Sequence, residues 1–274
     1  MTASNLMEVH QLEIQNLFDL NGKVAIITGG ATHLGFAMAS ALGELGANIV
    51  IASRRRDLCV KRSNELKSKG INSLGIGCDV TDPIEVDQLV NQTVSEYGRL
   101  DIMVCNAGGA VKPATFVPNG DIEEFVSTME LNVNGTYLSA NSAAKIMVNQ
   151  RSGSIITIGS IHGSLTNDKR FYDGTGFHRG GASYQTAKAG IINFTRYLAM
   201  ELGEFGVNAN CISPGMIPKP DADVKMLDKC MNSTALRRRG LPSDLKGVVA
   251  LLASEAGSWI TGQNFIVDGG FTIW

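Results

Sequence analysis

The feature that most constrains the fold is an alternation of short apolar runs with longer helical patterns. Val24 to Ile27 is an apolar run, and a helical pattern follows it through Leu45. A second apolar run, 48–52, precedes another helical pattern that starts at Asp57. Because strands that are joined by helices usually pair side by side in one direction, this alternation predicts an α/β domain built on a parallel sheet.

The alternation continues along the rest of the chain. Further strands are predicted near 73–78 and over 101–105, 154–158 and 265–267, with a helix over about 83–97. A longer helical region covers 122–150 and carries Asn132 in its middle. An asparagine among apolar helix neighbours is either a satisfied core hydrogen-bonding group or part of a site, and the sequence leaves both interpretations open.

Composition favours chemistry on small molecules. The chain has 274 residues, of which 44% are hydrophobic and 18% charged, so it is long enough for one large α/β domain. Its 24 basic and 26 acidic residues give a net charge of -2. That balance provides no basic footprint for nucleic acid or for an anionic membrane. We expect residues 1–20 to form an N-terminal extension and residues 21–274 to form the domain.

Cysteine and histidine usage predicts a cytoplasmic protein without a catalytic metal. The five cysteines are scattered and form no C-x-x-C pair, which is typical of reduced thiols that pack as small apolar side chains. The four histidines lack zinc-ligand spacing. The N-terminus has no basic segment followed by an apolar core, so we expect no secretory signal.

A glycine-rich turn, Thr28 to Gly35, follows the first apolar run. In a strand–turn–helix arrangement, small residues let backbone N–H groups approach a pyrophosphate, and the start of the helix adds the positive end of its dipole. The turn therefore predicts a dinucleotide site. Plain glycine-rich turns also occur, so the turn alone does not decide this.

The end of the second predicted strand indicates which dinucleotide is preferred. A carboxylate that would bind the ribose of NAD is missing there, and the sequence reads Ser53-Arg54-Arg55. Guanidinium groups pair with phosphate oxygens in a planar, charge-assisted way. We therefore expect NADP(H) to be preferred, with NAD(H) possible. The alternative is a solvated basic start to the next helix.

One tyrosine stands out among five. Tyr184 alone is followed by a lysine, Lys188, four residues later, and residues at this spacing share one face of a helix. A nearby ammonium favours the phenolate, so we expect Lys188 to lower the pKa of Tyr184 and to prepare it for proton transfer.

From about Leu20 to Gly270 the chain resembles the short-chain dehydrogenase/reductase family. The matching motifs are Thr28-Gly29 closing at Gly35, Asp79-Val80, Asn106-Ala107-Gly108, Asn132, Ser160, Tyr184 with Lys188, Pro214-Gly215 and Asp268-Gly269-Gly270. The resemblance implies one Rossmann-type, doubly wound parallel sheet of about seven strands flanked by helices. It also implies a homo-oligomer, a tetramer or a dimer.

The resemblance also implies residue roles. Tyr184 would be the general acid/base, Ser160 would hydrogen-bond the reacting oxygen, Lys188 would hold the nicotinamide ribose, and Asn132 would position a water. The cofactor-binding residues, taken from the turn and from the motif matches, are Gly29, Thr32, His33, Leu34, Ser53, Arg54, Arg55, Asp79, Val80, Asn106, Ala107, Gly108, Tyr184, Lys188, Pro214, Gly215 and Ile217.

Three positions depart from the family pattern. His33 replaces the middle glycine of the turn; the turn can survive if His33 adopts an ordinary backbone conformation, and its imidazole would then hydrogen-bond the cofactor or be merely tolerated. Lys219 replaces a frequent threonine, and would reach a phosphate, a carboxylated substrate or solvent. The segment 161–183 is longer than usual. We expect its charged and aromatic residues to cover Ser160, and a subunit contact or surface loop is the alternative.

These observations predict an NADP(H)-dependent oxidoreductase that interconverts an alcohol and a carbonyl by hydride transfer, on a sugar, sugar acid or polyol. The alternative substrate is a 3-oxoacyl thioester on an acyl carrier protein, for which the run 237–239 of three arginines would supply a basic patch. A third hypothesis is a dinucleotide sensor without chemistry. Retention of Ser160, Tyr184 and Lys188 together argues against that hypothesis.

Overall fold

Seven short segments, most of them apolar, form seven parallel strands in one sheet, and one of them, 207–214, was not among the predicted strands. The structure is a computed structural model that describes residues 13–175, 179–219, 222 and 224–273. The strands are β1 (Val24–Thr28), β2 (Asn48–Ser53), β3 (Ser73–Gly77), β4 (Ile102–Cys105), β5 (Gly153–Ile158), β6 (Val207–Pro214) and β7 (Asn264–Val267). Their order across the sheet is β3-β2-β1-β4-β5-β6-β7. Residues 1–12 of the predicted N-terminal extension lie outside the described residues.

Helices cover both faces of this sheet. They are α1 (Ile14–Leu17), α2 (His33–Glu44), α3 (Arg56–Lys67), α4 (Pro83–Tyr97), α5 (Ile122–Met129), α6 (Gly135–Gln150), α7 (Lys169–Tyr172), α8 (Ala182–Leu202), α9 (Val224–Ser233) and α10 (Lys246–Ala253). The prediction of a doubly wound α/β fold is therefore confirmed.

The side chains of the central strand show why it has no polar face. All five residues of β1 are buried. Ala25 and Ile27 pack with α2 and α10 on one face, whereas Ile26 packs with α4, α6 and α8 on the other. Successive side chains of a strand point to opposite faces, so a strand that is covered on both sides must be apolar throughout.

The strand order reverses between β1 and β4, because β2 lies on one side of β1 and β4 lies on the other. In open parallel sheets, ligands bind in the crevice outside the carboxyl ends of the strands at such a reversal. The glycine-rich turn follows β1, Asn106 follows β4, and Ser160 follows β5 by two residues. The topology thus brings the predicted site residues to one edge of the sheet.

The helix that the sequence predicts over 122–150 is interrupted. α5 and α6 run on through one π-helical turn, Glu130–Asn134, which contains Asn132. Single π-helical turns inside α-helices are frequent at functional sites. Hydrophobic periodicity does not reveal one extra residue in a helical turn, so the π-helical turn could not be predicted from the sequence.

Gly75 in β3 provides a test of how closely α3 packs on the sheet. A Cβ added at Gly75 would lie 2.5 Å from the backbone nitrogen of Val60 in α3, although the backbone angle of Gly75 is open to any residue. We expect Gly75→Ala to lower the free energy of unfolding by about 1–3 kcal/mol through overpacking. Urea denaturation followed by circular dichroism measures the change.

Gly247→Ala is the matched control, since Gly247 lies in α10 with no atom within 4 Å of an added Cβ. Alanine there should leave stability unchanged or raise it slightly. An unchanged urea midpoint in Gly75→Ala would show that α3 packs more loosely than the structure indicates.

Candidate active site

A cavity of about 830 Å³ lies at the carboxyl edge of the sheet. Every residue predicted to bind the cofactor lines it, from the turn after β1 to Ile217 after β6. Of the four residues predicted to be catalytic, Ser160, Tyr184 and Lys188 line the cavity and Asn132 does not. Lining residues that the sequence analysis did not assign include Cys78, Leu131 and Gly159. Cys78 and Gly159 directly follow β3 and β5, so the carboxyl-end rule was the signal that would have found them.

The turn after β1 is built for close approach to an anion. Thr32 precedes α2 without a side-chain capping bond, so the N–H groups of the first helical turn are left for a ligand. A Cβ on Gly29 or Gly35 would lie 2.8 or 2.6 Å from the Nδ2 of Asn106. The glycines therefore keep the turn against Asn106 and its backbone open toward the cavity, an arrangement that fits a pyrophosphate.

The end of the cavity that lies beside the carboxyl end of β2 is basic. Arg54 and Arg55 are exposed, and neither forms an ion pair with another described residue. The hydroxyl of Ser53 lies 3.0 Å from the Sγ of Cys59. Two guanidinium groups without an ion-pair partner at this point suit the oxygens of a 2′-phosphate better than the neutral hydroxyls of a ribose.

The catalytic candidates meet where β5 and α8 come together. The Oγ of Ser160 accepts a hydrogen bond from the backbone N–H of His162 at 3.2 Å. The side chains of Ser160 and Tyr184 are also hydrogen-bonded to each other. Lys188 lies one helical turn beyond Tyr184, and its Nζ donates to the carbonyl oxygen of Ile158 at 2.8 Å. The same Nζ is 5.6 Å from the centre of the Tyr184 ring.

The pKa of Tyr184 is shifted in the opposite direction to the one expected. Burial raises the pKa of Tyr184, and the bond with Ser160 opposes this only in part. Burial also lowers the pKa of Lys188 to about 8. The expected net lowering of the tyrosine pKa by Lys188 is therefore wrong for the chain alone. Desolvation dominates both groups, and the ammonium is held by a carbonyl rather than by the phenol oxygen.

The structure gives Asn132 a place in the wall behind the cavity. Its side chain is fully buried; Nδ2 donates to the carbonyl oxygens of Gly109 and Thr128 at 2.8 Å each, and Oδ1 accepts from the N–H of Gly109 at 3.0 Å. Protein groups thus satisfy the amide. Of the two interpretations left open by the sequence, the side chain matches the core hydrogen-bonding group, and it fixes the loop that follows β4.

His33 does not adopt an ordinary backbone conformation. Its φ is 46°, in the left-handed region, so the ordinary conformation considered in the sequence analysis does not occur. The turn keeps the geometry that a glycine would provide, and a non-glycine residue there costs of order 1 kcal/mol or more. The imidazole Nε2 lies 3.0 Å from the carbonyl oxygen of Ile217, which gives the side chain a partner within the protein.

A second cavity of about 860 Å³ adjoins the first and shares Ser160 and Tyr184 with it. His162, Tyr172 and Lys219 supply further polar groups, and the apolar wall includes Ile161, Met216, Ile217, Pro218 and Met226. This space is therefore large enough to hold a small molecule beside Ser160 and Tyr184.

Part of the segment 161–183 lines this second cavity. Its described lining residues are Ile161, His162, Tyr172 and Gly180. Asp168 and Arg170 are exposed and form an ion pair with each other, with 2.8 Å between the guanidinium nitrogen and the carboxylate oxygen. Neither residue lines the cavity, so the expectation that the charged residues of this segment cover Ser160 is wrong for these two.

The described residues contain neither a metal cluster nor a membrane-spanning helix. No group of three or more His, Cys, Asp or Glu side chains in these ranges is arranged to hold a metal ion. Within the same ranges, every helix is too short or too polar to span a bilayer.

Comparison with known proteins identifies the family. A family model described as enoyl-(acyl carrier protein) reductase matches residues 29–272. The chain is 35% identical to a cyclohexanol dehydrogenase of Rhodococcus sp. strain TK6, over 92% of this chain and 97% of that protein. It is 32% identical to a sorbose reductase of Candida albicans, with 94% and 90% covered. A 3-oxoacyl-[acyl-carrier-protein] reductase of Synechocystis is also 32% identical, with 93% and 98% covered.

Solved structures agree with these relatives. A short-chain type dehydrogenase/reductase from Mycobacterium marinum superposes with a TM-score of 0.86 at 34% identity, over 95% of this chain and 99% of that one. A gluconate 5-dehydrogenase from Burkholderia cenocepacia, solved with NADP and tartrate, gives a TM-score of 0.86 at 25% identity, with 96% and 100% covered. With its fold, its motifs and these matches, the chain belongs to the short-chain dehydrogenase/reductase family, whose members are NAD(P)-dependent oxidoreductases that act on CH–OH groups.

Proposed function

We propose that this protein interconverts an alcohol and a carbonyl with NADP(H), on a polar hydroxylated substrate such as a sugar, sugar acid or polyol. The observation that carries the proposal is the position of Ser160 and Tyr184, which line both the nucleotide cavity and the adjoining cavity. A hydroxyl pair at the junction of two cavities can hold the oxygen of a substrate beside a cofactor. The sorbose reductase and gluconate 5-dehydrogenase relatives support the substrate class.

The chain fits the cofactor at three points. The N–H groups at the start of α2 would hold the pyrophosphate, Arg54 and Arg55 the 2′-phosphate, and Lys188 the nicotinamide ribose. When bound, the nicotinamide supplies or accepts the hydride. The protein must therefore orient the substrate, exclude water and move one proton.

The proton step is assigned to the side chains at the junction. Ser160 donates a hydrogen bond to the substrate oxygen and holds it against Tyr184, and the phenol gives a proton to that oxygen during reduction. Burial keeps Tyr184 protonated at neutral pH, which suits an acid. The positive charge of Lys188 stabilises the phenolate that this step leaves on Tyr184, and in oxidation that phenolate takes the proton of the substrate hydroxyl and becomes a phenol again.

We further propose a cytoplasmic homo-oligomer that assembles through α6 and α8. Tyr137 on α6 and Tyr197 and Met200 on α8 are exposed, and the rings of Tyr137 and Phe194 are 5.8 Å apart. Exposed aromatic and apolar side chains that cluster on two neighbouring helices mark an interaction surface. The five described cysteines are buried and unpaired, which supports a reducing compartment.

A second candidate is reduction of a 3-oxoacyl thioester. The description of the matching family model and the Synechocystis relative favour it. The proposed basic patch for an acyl carrier protein is weakened, since Arg238 pairs with Asp244 at 2.6 Å. The two candidates differ in substrate and not in catalytic residues.

The experiment that tests the proposal measures nicotinamide absorbance with NADP(H) and NAD(H) in parallel. The panel contains sugar acids, polyols, simple ketones and 3-oxoacyl thioesters. Turnover of a hydroxylated compound with NADP(H) supports the proposal. Turnover of thioesters alone favours the second candidate, and cofactor binding without any turnover favours a sensor.

Tyr184→Phe should remove turnover and keep cofactor binding. Loss of the phenol proton removes general acid catalysis, and we expect kcat to fall by about 10²- to 10⁴-fold. NADPH fluorescence titration checks binding. Tyr97→Phe, at a tyrosine that ends α4 and lines neither cavity, is the matched control and should retain turnover. Undiminished turnover in Tyr184→Phe would contradict the assignment.

Arg54→Ala should weaken NADPH binding selectively. Loss of a charge-assisted bond to the 2′-phosphate should raise the KM for NADPH by about 10-fold or more and leave the KM for NADH almost unchanged. Arg56→Ala is the control, because Arg56 is exposed nearby but does not line the cavity. An equal loss of affinity for both cofactors would argue against a 2′-phosphate contact.

The rate of carbonyl reduction should fall at alkaline pH. The pKa of Lys188 is lowered to about 8, whereas that of Tyr184 is raised. As pH rises through about 8, Lys188 loses its proton first, so kcat/KM should be level below that value and decline above it, approaching tenfold per pH unit. Measuring the Kd of NADPH over the same range separates binding from chemistry. A level profile from pH 6 to 10 would show that the charge of Lys188 is not required.

A further inference from the structure

One side chain of the turn after β1 is joined to the loop after β6. The Nε2 of His33 lies 3.0 Å from the carbonyl oxygen of Ile217, which is 184 residues away in the chain. A carbonyl oxygen can only accept, so Nε2 carries a hydrogen and donates it. The bond links the start of α2, in the cofactor turn, to the loop that leaves β6 after Pro214.

The backbone of His33 is kept in a strained conformation. Its φ of 46° is one that glycine adopts freely and that other residues rarely adopt. Such residues persist only where their surroundings hold them, and they cluster at functional sites. A glycine would form the same turn without strain, but it has no side chain to bond to Ile217. The geometry therefore favours a role for the imidazole itself.

The loop 215–219 forms the wall between the two cavities. All five of its residues line the second cavity, and Gly215, Ile217 and Lys219 line the nucleotide cavity as well. His33 also lines both cavities. The position of this loop therefore determines the shape of the border between the cofactor space and the substrate space.

Three hydrogen bonds hold this loop to the rest of the described chain, and the imidazole makes the last of them. The N–H of Gly215 donates to β7 at 2.9 Å, and the carbonyl oxygen of Met216 accepts from the N–H of Gly240 at 3.1 Å. Past Ile217, the described residues 218, 219 and 222 form one hydrogen bond, which joins two of them to each other. Loss of the imidazole would therefore release the loop from Ile217 onward.

We propose that His33 is a positioning residue, which fixes the loop 215–219 through Ile217 and so holds the wall between cofactor and substrate. This inference rests on the proposed function and adds to it a residue outside the proton-transfer group. His33 acts on the reaction through the loop and not by contact with the reacting atoms. A displacement of about 1 Å in the groups that orient a substrate can slow a reaction by about 100-fold.

The first measurement follows the loop in the protein without cofactor, by hydrogen exchange and mass spectrometry of peptides that cover 215–219. In His33→Gly and His33→Asn we expect these amides to exchange about 3-fold faster or more, because the loop loses a hydrogen bond. Asparagine tolerates the left-handed backbone, but its amide nitrogen is one bond closer to Cβ than Nε2 of the imidazole. In His33→Gln, the amide nitrogen is as many bonds from Cβ as Nε2 is, so exchange should stay near that of the wild type.

The second measurement is kcat/KM with NADPH for the carbonyl compound that the wild type reduces fastest among the sugar acids and ketones of the panel. It should fall by about 10-fold or more in His33→Gly and His33→Asn and stay within about 3-fold of the wild type in His33→Gln. NADPH fluorescence titration should give a Kd within about 3-fold of the wild type in all three variants, because the N–H groups of the turn remain.

Urea denaturation separates this role from a purely structural one. In His33→Gly the lost hydrogen bond is offset by relief of the strained φ, so the urea midpoint should stay near that of the wild type although turnover falls. A residue that only stabilised the fold would lower the midpoint together with turnover.

Arg151→Gly is the matched control. Arg151 also has a left-handed φ, of 53°, and its guanidinium donates to the carbonyl oxygen of Glu204 at 3.2 Å. It lines neither cavity. This variant removes the same kind of strain and the same kind of bond, and it should keep both kcat/KM and the exchange of the loop 215–219.

Wild-type exchange of the loop in both His33→Gly and His33→Asn would overturn the inference and leave the proposed function standing. Faster exchange with an unchanged kcat/KM would also overturn it, since the loop would then be held without effect on the reaction. If the wild type reduces no carbonyl compound with either cofactor, the proposed function fails and the positioning role fails with it, whereas the exchange measurement still decides whether His33 holds the loop.

Discussion

The site depends on how tightly the ends of β1 and β4 are joined. The Oγ1 of Thr28 accepts the backbone N–H groups of Asn106 and Ala107 at 3.1 Å each, and the Nδ2 of Asn106 donates to the carbonyl oxygen of Thr28 at 2.9 Å. These bonds link the two loops on either side of the strand-order reversal. They also leave no room for a side chain at Gly29 or Gly35. The crevice for a dinucleotide is thus held in shape before any ligand binds.

Lys188 links a second pair of elements at the same edge of the sheet. It is 5% exposed, and its bond to the carbonyl oxygen of Ile158 joins α8 to the end of β5. Burial of an ammonium costs free energy, and the lowered pKa of Lys188 expresses that cost. A charge kept at such a cost near the phenol of Tyr184 is consistent with a role in proton transfer rather than in stability. Asn132 supports the same region from behind, because it holds Gly109 in place.

Much of this could be predicted from the sequence, and the exceptions share a cause. Most strands could be predicted because a sheet covered on both faces needs continuous apolar runs, and most of the predicted cofactor residues came from the motif matches to the family. The hydrogen-bond partner of His33 could not be predicted, since Ile217 is 184 residues away in the chain. The π-helical turn around Asn132 and the sign of the Tyr184 pKa shift also depend on tertiary burial. No local pattern carries that information.

The departures from the family pattern are not scattered over the molecule. His33, Lys219 and the described residues His162, Tyr172 and Gly180 of the long segment all line the second cavity. His33 and Lys219 line the nucleotide cavity as well, so they stand at its border with the substrate space. Most of the residues that match the family motifs line the nucleotide cavity. Since specificity arises from contacts to the parts of a substrate that do not react, we expect departures on this one side to alter the choice of substrate and not the chemistry.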